Sequence, residues 1–281
     1  MSNFAIIGMG YIAPRHLKAI YDTGNKVTAV VDPHDSVGIL DKYDYDIKYF
    51  SEIERFDRYL YKHPVDYVSI CSPNYLHDAH CRLALRNGAY AICEKPVVIN
   101  PWNLDTLQEM ELQYHRIIYP VMQMRYHPIL INLHTIINPN TYYDGDLTYH
   151  TPRGEWFYRS WKSNEEKSGG LLINIGVHMF DILIWLFGTP RDAYSVVTDD
   201  CISKGVIHFP NARIIWELST MIKDMKRNLS VNGEYIDFSD VISFDLHTKT
   251  YEEILAGRGL ALEDARPSIE LIRSIKDDSI R

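Results

Sequence analysis

The sequence predicts two domains: an α/β domain built on a doubly wound parallel sheet, then an α+β domain with a large, mostly antiparallel, open-faced sheet. At 281 residues the chain is long enough for two domains of ordinary size. In its first half, continuous apolar segments alternate with helix-like segments, which is typical of a parallel sheet covered on both faces. After about Arg125 this alternation ends and strands predominate. We therefore expect one domain over residues 1–122 and another over residues 123–281.

The first domain is expected to contain five strands with helices between them. Each predicted strand is a short apolar run, rich in β-branched residues, that ends at a turn or a polar residue. The strands are FAIIGMG with its turn (4–10), KVTAVVD (26–32), VDYVSICS (65–72), GAYAICEKP (88–96) and IIYPVMQM (117–124), and the helices lie at about 13–22, 76–87 and 101–113.

The second domain is expected to mix helices with strands that read as an antiparallel sheet. Its strands alternate less regularly with helices, and polar turns separate them. The predicted strands are DLTYHTP (146–152), AYSVVT (193–198), KGVIHF (204–209), ARIIWELST (212–220) and NLSVNGEYIDF (228–238); helices are expected at 128–137 and 169–188, and two short helices close the chain.

The composition gives no reason to expect a nucleic acid, a membrane or a metal. The formal net charge is −8 and there is no basic block. Segment 169–188 is as long as a membrane span, but Asn174, His178 and Asp181 lie in its middle, where lipid would make them costly, so we expect a buried helix. HDAH at 77–80 lacks further ligands and reads as a helix N-terminus. The N-terminal segment has no secretory pattern, which favours a cytoplasmic protein.

A glycine motif follows the first predicted strand and precedes a helix. GMGYIA at 8–13 fits G-x-G-x-x-G/A, the Rossmann fingerprint of dinucleotide binding. The first glycine permits the tight turn, the second lets a pyrophosphate approach the backbone, and the small Ala13 lets helix and strand pack closely. We expect Gly8, Gly10, Tyr11 and Ile12 to contact the cofactor.

Polar residues at two further strand ends complete the predicted cofactor site. Asp32 ends the second strand, about 20 residues beyond the glycines, where an acid binds the ribose diol; its charge would repel a 2′-phosphate, which favours NAD over NADP. The third strand ends in SPNYLH (72–77), and the carboxyl ends of parallel strands line the ligand crevice. Ser72, Asn74 and His77 are therefore expected beside the nicotinamide.

The fourth strand ends in Glu94, Lys95 and Pro96. At the ligand edge of the sheet, a lysine can hydrogen-bond a substrate hydroxyl and stabilise the alkoxide that forms as hydride leaves. Glu94 is expected to hold the lysine or to contact the cofactor. Pro96 restricts the backbone, so the lysine's direction is set by the chain rather than by its flexible stem. A surface ion pair at a strand end is the alternative interpretation.

These motifs, together with GGLLINIGVHMFD at 169–181, resemble the Gfo/Idh/MocA family of sugar and cyclitol oxidoreductases over essentially the whole chain. The resemblance implies that Lys95 and His178 are the catalytic proton-handling pair, with Asn174 beside them. The family usually has Asp where this chain has Asn174, and an amide can only donate and accept hydrogen bonds. The family's second domain commonly forms oligomer contacts, so a homodimer or homotetramer is expected.

Several stretches resemble one branch of that family, the bacterial UDP-N-acetylglucosaminuronate 3-dehydrogenases. They include DYVSICSPNYLHDAH (66–80), EKPVVINPWNLD (94–105) and SWKSNEEKSGGLLINIGVHMFD (160–181). The implied reaction is NAD-dependent oxidation of the 3-hydroxyl of UDP-2-acetamido-2-deoxy-D-glucuronate to a ketone, in the synthesis of bacterial surface polysaccharide such as O-antigen lipopolysaccharide. In this branch Asn is usual at position 174, and 2-oxoglutarate can reoxidise tightly held NADH.

A diphosphate and a carboxylate on the substrate would need local cations and planar hydrogen-bonding groups. The chain supplies them near the end of the fifth strand and in TPRGEWFYRSWKS (151–163). A solvated strand with aromatic packing is the alternative for this stretch. The residues expected to bind substrate, besides Lys95, Asn174 and His178, are Arg125, Arg153, Tyr158, Ser160 and Lys162.

Two other functions stay open from the sequence. One is a different NAD-dependent sugar or cyclitol dehydrogenase of the same family. The other is a non-catalytic NAD-binding regulator, which would have no need for Lys95 and His178.

Overall fold

The computed structural model describes residues 1–34, 38–43, 46–240 and 244–278. The chain divides into two compact units that are each discontinuous in sequence. The first contains Met1–Val98, Trp102–Val121 and His247–Asp264, and the second contains Ile99–Pro101, Met122–Leu246 and Ala265–Arg281. The division differs from the predicted domain 123–281 because residues 247–264 belong to the first unit.

The first unit contains a parallel sheet of six strands within the described residues, in the order β3-β2-β1-β4-β5-β6. This confirms the predicted doubly wound class. The additional strand is β3, which has only three residues, none of them buried, and therefore lacks the apolar run that marks the others. The strands are β1 (Asn3–Ile7), β2 (Lys26–Val31), β3 (Lys48–Phe50), β4 (Tyr67–Ile70), β5 (Tyr90–Cys93) and β6 (Ile118–Pro120).

Most helices of the described residues lie close to predicted ones; α2, α6 and α7 were not predicted. They are α1 (Ala13–Asp22), α2 (Ile53–Lys62), α3 (His77–Arg86), α4 (Trp102–Tyr114), α5 (Pro128–Ile136), α6 (Glu155–Tyr158), α7 (Glu165–Ser168), α8 (Val177–Phe187), α9 (Leu246–Leu255) and α10 (Leu262–Asp278), with 3₁₀ turns at Gly38–Lys42, Asn74–Leu76, Gln123–Tyr126 and Trp161–Ser163 and a π-helical turn at Leu172–Gly176.

Helix α1 shows how local sequence fixes an element beside the glycine motif. A proline stands in its first turn, where the missing N–H costs no hydrogen bond. Gly24, at φ +74°, follows its C-terminal end and stops it. Leu17 and Ile20 bury its apolar face in the core together with a polar residue, His16.

The second unit contains a mostly antiparallel sheet in the order β12-β11-β7-β10-β9-β8, as predicted, with one parallel pair, β7 and β10. The predicted single strand 228–238 is a hairpin. Asn232 and Gly233 both have positive φ at its turn, the conformation that Asn-Gly favours. The strands are β7 (Tyr143–His150), β8 (Asp192–Thr198), β9 (Ile202–His208), β10 (Ala212–Ser219), β11 (Lys226–Val231) and β12 (Glu234–Asp237).

Helix α8 packs on one face of this sheet. The rings of Phe180 and Trp216 meet edge to face, with centroids 5.2 Å apart, and Trp216 is fully buried. Helical residues Glu165–Phe187 are long and apolar enough to cross a membrane by length and composition. However, 83% of an 18-residue apolar stretch within them is buried inside the protein. The prediction of a buried helix at 169–188 therefore holds for the fold, and the polar residues in its middle lie inside the protein.

Gly205 lets β9 lie against the indole of Trp216. An ideal Cβ at this position would overlap the carbonyl oxygen of Tyr194 and lie 2.5 Å from Cζ2 of Trp216. We expect Gly205→Ala to lower the free energy of unfolding by about 1–3 kcal/mol, because neither neighbour can move without disturbing the sheet. Urea titration checks this, with Gly38→Ala, where a Cβ meets open space, as the control. Equal midpoints for the two variants would contradict the packing argument.

Candidate active site

The glycine-rich turn lies directly against the end of β4. Gly8 has φ +92°, and a Cβ there would come within 2.8 Å of the backbone of Cys71 and Ser72. Only glycine fits this close approach. A Cβ at Gly10 would meet nothing within 4 Å, so the backbone is open on the side where a pyrophosphate would lie. Tyr11 is almost fully exposed beside it.

Asp32 connects the end of β2 to this turn. Its Oδ2 accepts a hydrogen bond from the amide of Met9 at 2.5 Å, and its Oδ1 accepts one from the amide of His34 at 2.7 Å. A carboxylate has about four acceptor sites, so these bonds leave capacity for a ribose diol. The turn, the open backbone and this acid fit a dinucleotide whose ribose is not phosphorylated. Ile12, at the N-cap of α1, completes the turn.

The ends of β4 and β5 are tied together by His77. Its Nδ1 lies 2.6 Å from the carbonyl oxygen of Pro96, and its Nε2 lies 2.7 Å from that of Ser72. Burial lowers the pKa of His77, although both backbone hydrogen bonds raise it. The sequence assigned His77 to the cofactor, whereas the structure gives both ring nitrogens protein partners. Asn74, also predicted there, is buried in the 3₁₀ turn before α3.

Glu94 is buried, and its Oε1 accepts hydrogen bonds from His16 and His247, each at 3.0 Å. Burial raises the pKa of Glu94, but these two hydrogen bonds outweigh that effect and hold the pKa well below its usual range. The expected role, holding the lysine or contacting the cofactor, stays a prediction; in the structure Oε1 contacts two histidines. Sequence reasoning missed both histidines, because one is in α1 and the other is near the far end of the chain.

Lys95 follows Glu94 and is half-buried. Its backbone amide lies 3.2 Å from Oε2 of Glu94, and the Lys95–Pro96 peptide bond is cis. The Glu94 carboxylate thus holds the backbone amide that precedes the lysine side chain. Its amine can act on a hydroxyl group as a hydrogen-bond donor or, once deprotonated, as a base.

In the second unit, Asn174 and His178 lie in one continuous helical segment. Asn174 is in the π-helical turn Leu172–Gly176 and His178 is in the first turn of α8. Both are buried, and residues four apart are neighbours on a helix surface. π-helical turns inside α-helices occur frequently at functional sites. An amide and an imidazole side by side can bind and deprotonate a hydroxyl group.

Arg125 does not present a free guanidinium to an anion. Its Nε and one terminal nitrogen donate to the two carboxylate oxygens of Asp181, at 3.0 and 2.6 Å, and the acid is 1% exposed. The role of Arg125 in binding substrate stays a prediction; in the structure this arginine forms a bidentate ion pair within the protein. Asp181 follows His178 by one helical turn, so this pair anchors the start of α8.

The stretch around 151–163 forms short helices rather than a strand. Ser160 is an N-cap: its Oγ accepts from the amide of Lys162 at 3.3 Å. The guanidinium of Arg153 lies 6.0 Å from the ring centroid of Phe157, and the hydroxyl of Tyr158 lies 3.4 Å from that of Thr220. The amine of Lys162 lies over Trp161, 4.2 Å from the ring centroid. The cationic groups of Arg153 and Lys162 therefore lie over aromatic rings.

Comparisons with known proteins show the family to which the chain belongs. Residues 2–121 match the model of the oxidoreductase family with an NAD-binding Rossmann fold (GFO_IDH_MocA), and residues 136–255 match that family's C-terminal alpha/beta domain. The chain belongs to this family of NAD-binding oxidoreductases, as the sequence motifs predicted.

Among solved structures, the chain is similar to the WlbA (WbpB) dehydrogenase from Thermus thermophilus in complex with NAD and UDP-GlcNAcA. The two are 40% identical, with a TM-score of 0.93 over 97% of this chain and 94% of that one. The same dehydrogenase was also solved with NAD and alpha-ketoglutarate. This particular similarity extends over both units of the chain.

Curated relatives are more distant, and the chain spans about half of their length or less. The 2,7-anhydro-N-acetylneuraminate hydratase of Mediterraneibacter gnavus is 29% identical over 66% of this chain and 49% of its own. The D-glucoside 3-dehydrogenase of Escherichia coli is 30% identical over 44% of this chain and 36% of its own.

The Arg125–Asp181 pair gives a prediction for stability. We expect Asp181→Asn to lower the free energy of unfolding by about 3 kcal/mol, because it leaves a nearly buried guanidinium without its counter-charge. The exposed pair Arg159–Glu155 supplies the control, since Glu155→Gln should change stability by less than about 0.5 kcal/mol. Denaturant titration measures both, and similar losses would contradict the assignment.

The burial of His80 predicts how the stability of the protein depends on pH. Burial lowers its pKa from 6.5 to about 4. Below pH 6.5 the unfolded chain therefore binds a proton that the folded chain takes up only near pH 4, so stability falls across this window. We expect wild type to lose up to about 3 kcal/mol more between these pH values than His80→Asn. His115→Asn, at an exposed position, serves as the control, and parallel pH profiles for wild type and H80N would refute the assignment.

Proposed function

We propose that this protein oxidises the 3-hydroxyl of UDP-2-acetamido-2-deoxy-D-glucuronate to the 3-keto sugar, with NAD as the oxidant. The observation that carries the proposal is the 40% identity over 97% of the chain to a dehydrogenase solved with NAD and UDP-GlcNAcA. Lys95, Asn174 and His178, the residues with chemistry suited to a carbinol, are all present.

The proposed reaction removes a hydride from C3 and a proton from the 3-hydroxyl group, which leaves a carbonyl. NAD, held by the glycine turn and Asp32, would supply the hydride acceptor. Lys95 and His178 handle the proton: one takes it as the general base, and the lysine's charge, when protonated, stabilises the developing alkoxide. Asn174 cannot exchange a proton at neutral pH, so its part is to orient the sugar by hydrogen bonds.

Recognition of the UDP-sugar is proposed for the short helices after β7. Arg153 and Lys162 supply positive charge on aromatic faces, and Tyr158 and Ser160 supply hydroxyl groups. A formal net charge of −8 gives no general attraction for an anion, so affinity must come from local groups of this kind. Arg125 stays in the proposed set, since Asp181 accepts from two of its nitrogens and a guanidinium has five N–H donors.

Reoxidation of NADH by 2-oxoglutarate is proposed because the similar dehydrogenase was solved with alpha-ketoglutarate. A ping-pong cycle follows, in which 2-oxoglutarate is reduced to 2-hydroxyglutarate and NAD is restored without leaving. The ketone would be the substrate of an aminotransferase in polysaccharide synthesis. We also propose a cytoplasmic homodimer or homotetramer.

A second candidate function is oxidation of the 3-hydroxyl of a glucoside that carries no nucleotide. The similarity to the D-glucoside 3-dehydrogenase of Escherichia coli favours it. A non-catalytic regulator is disfavoured, because such a protein has no use for the lysine and histidine together.

The test is to incubate purified protein with UDP-N-acetylglucosaminuronate and 2-oxoglutarate and to measure 2-hydroxyglutarate by mass spectrometry. We expect turnover by wild type and a loss of about 10²- to 10⁴-fold in kcat for Lys95→Ala, since general acid–base groups contribute that much. Lys62→Ala, at an exposed position in α2, should be unaffected.

Activity on free glucosides but not on the UDP-sugar would replace the proposal by the second candidate. Mass spectrometry of freshly purified protein gives an independent check. Denaturation should release a tightly held nicotinamide cofactor, and its detection would support the NAD-dependent reaction.

A further inference from the structure

Five polar side chains in the first unit form what we call the Glu94 cluster. They are fully or nearly fully buried. They come from distant parts of the sequence: from the end of β5, from α1, from β4 and, for two of them, from α9. The members are Glu94, His16, Ser69, His247 and Tyr251.

The contacts assign every proton at the centre of the cluster. Oε1 of ionised Glu94 can only accept, so Nε2 of both His16 and His247 carries hydrogen. Burial lowers the pKa of His16, which is therefore neutral, and its Nδ1 accepts from the hydroxyl of Tyr251 at 2.8 Å. That hydroxyl accepts in turn from Ser69, at 2.6 Å.

Two histidines and one carboxylate are also ligands for Zn²⁺, so the residue types alone do not exclude a metal. A metal would need both Nε2 atoms deprotonated, whereas bonds to Glu94 need a hydrogen on each. We interpret the cluster as a hydrogen-bonded support for a buried anion, and the metal content of the purified protein distinguishes the two.

The other oxygen of Glu94 connects the cluster to the proposed chemistry. Oε2 accepts from the backbone amide of Lys95 at 3.2 Å. One carboxylate thus bonds two imidazoles on one side and the backbone of the lysine on the other. Because a lysine side chain is long and flexible, its aim depends on where its backbone is held.

We propose that His16, His247 and Tyr251 are positioning residues that fix Lys95 through the Glu94 carboxylate; this rests on the proposed function of Lys95. The proposal also gives residues 247–264 a role, because α9 contains two of the three positioning residues, His247 and Tyr251. These residues act through Glu94 and Lys95 and need no contact with the substrate.

The first test compares His247→Leu with His247→Gln in the UDP-sugar assay. Leucine removes the donor, whereas the glutamine amide keeps one. We expect kcat to fall about 10- to 100-fold in H247L, as for a displaced catalytic group, with the KM for substrate within about 3-fold of wild type, and to recover at least partly in H247Q. Tyr251→Phe provides a second variant that removes one hydroxyl.

A double-mutant cycle separates positioning from general damage. If His247 acts through Lys95, H247L should cost nothing further in a Lys95→Ala background. Full additivity of the two losses would overturn the proposal. Zinc stoichiometry by elemental analysis is measured on the same wild-type sample, and one bound metal per chain would overturn it too.

One readout needs no substrate, so it stands even if the proposed function fails. Trace acetylation of Lys95, normalised to exposed Lys62 and quantified by peptide mass spectrometry, reports the environment of its amine. We expect the relative rate to change at least 3-fold in H247L or Y251F and to return towards wild type in H247Q. Unchanged rates in both variants would refute positioning, whatever the substrate proves to be.

Discussion

A carboxylate buried at the end of a central strand is the constraint on which the first unit depends. An ion in such a place is costly unless its oxygens receive hydrogen bonds. Glu94 receives them from α1, from α9 and from its own neighbour's backbone. Residues 247–264 thus supply the first unit with a hydrogen-bond partner for the anion, as well as with apolar side chains for its core.

The second unit meets a related demand in a different way. Asp181 is almost fully buried, and a bidentate arginine neutralises it. This pair and the π-helical turn bracket His178, one after it and one before it. Both units thus hold a residue of the proposed chemistry next to a buried carboxylate that is itself satisfied by protein groups. The two carboxylates therefore differ in what a substitution would do. Removing Asp181 leaves the nearly buried Arg125 guanidinium without its counter-charge, whereas removing His247 leaves the Glu94 carboxylate with one hydrogen-bond donor fewer.

Apolar runs predicted most of the fold, because the strands of a sheet covered on both faces must be continuously hydrophobic. The short strand β3 was missed because its residues are not buried. The site was predictable where a motif acts locally, as at Gly8, Asp32 and Lys95. The site was not predictable where contacting residues are distant in sequence, because no motif around His247 indicates a contact with Glu94. The four-residue spacing of His247 and Tyr251 does place them on one helical face, which was a usable signal. The ion pair of Arg125 was not predicted, because the sequence does not show that Asp181 lies within reach.

The dipeptide Glu94-Lys95 combines two side chains of opposite charge that do not pair with each other through Oε1. A surface ion pair would have been worth little. Directing the carboxylate inward instead uses its charge to collect hydrogen bonds from two histidine rings and from the backbone of the next residue. In the proposed function the acid is therefore structural and the lysine takes part in the chemistry. Their adjacency in sequence is what makes the arrangement work, since a lysine with four rotatable carbons can be aimed reproducibly only if the chain at its Cα does not move.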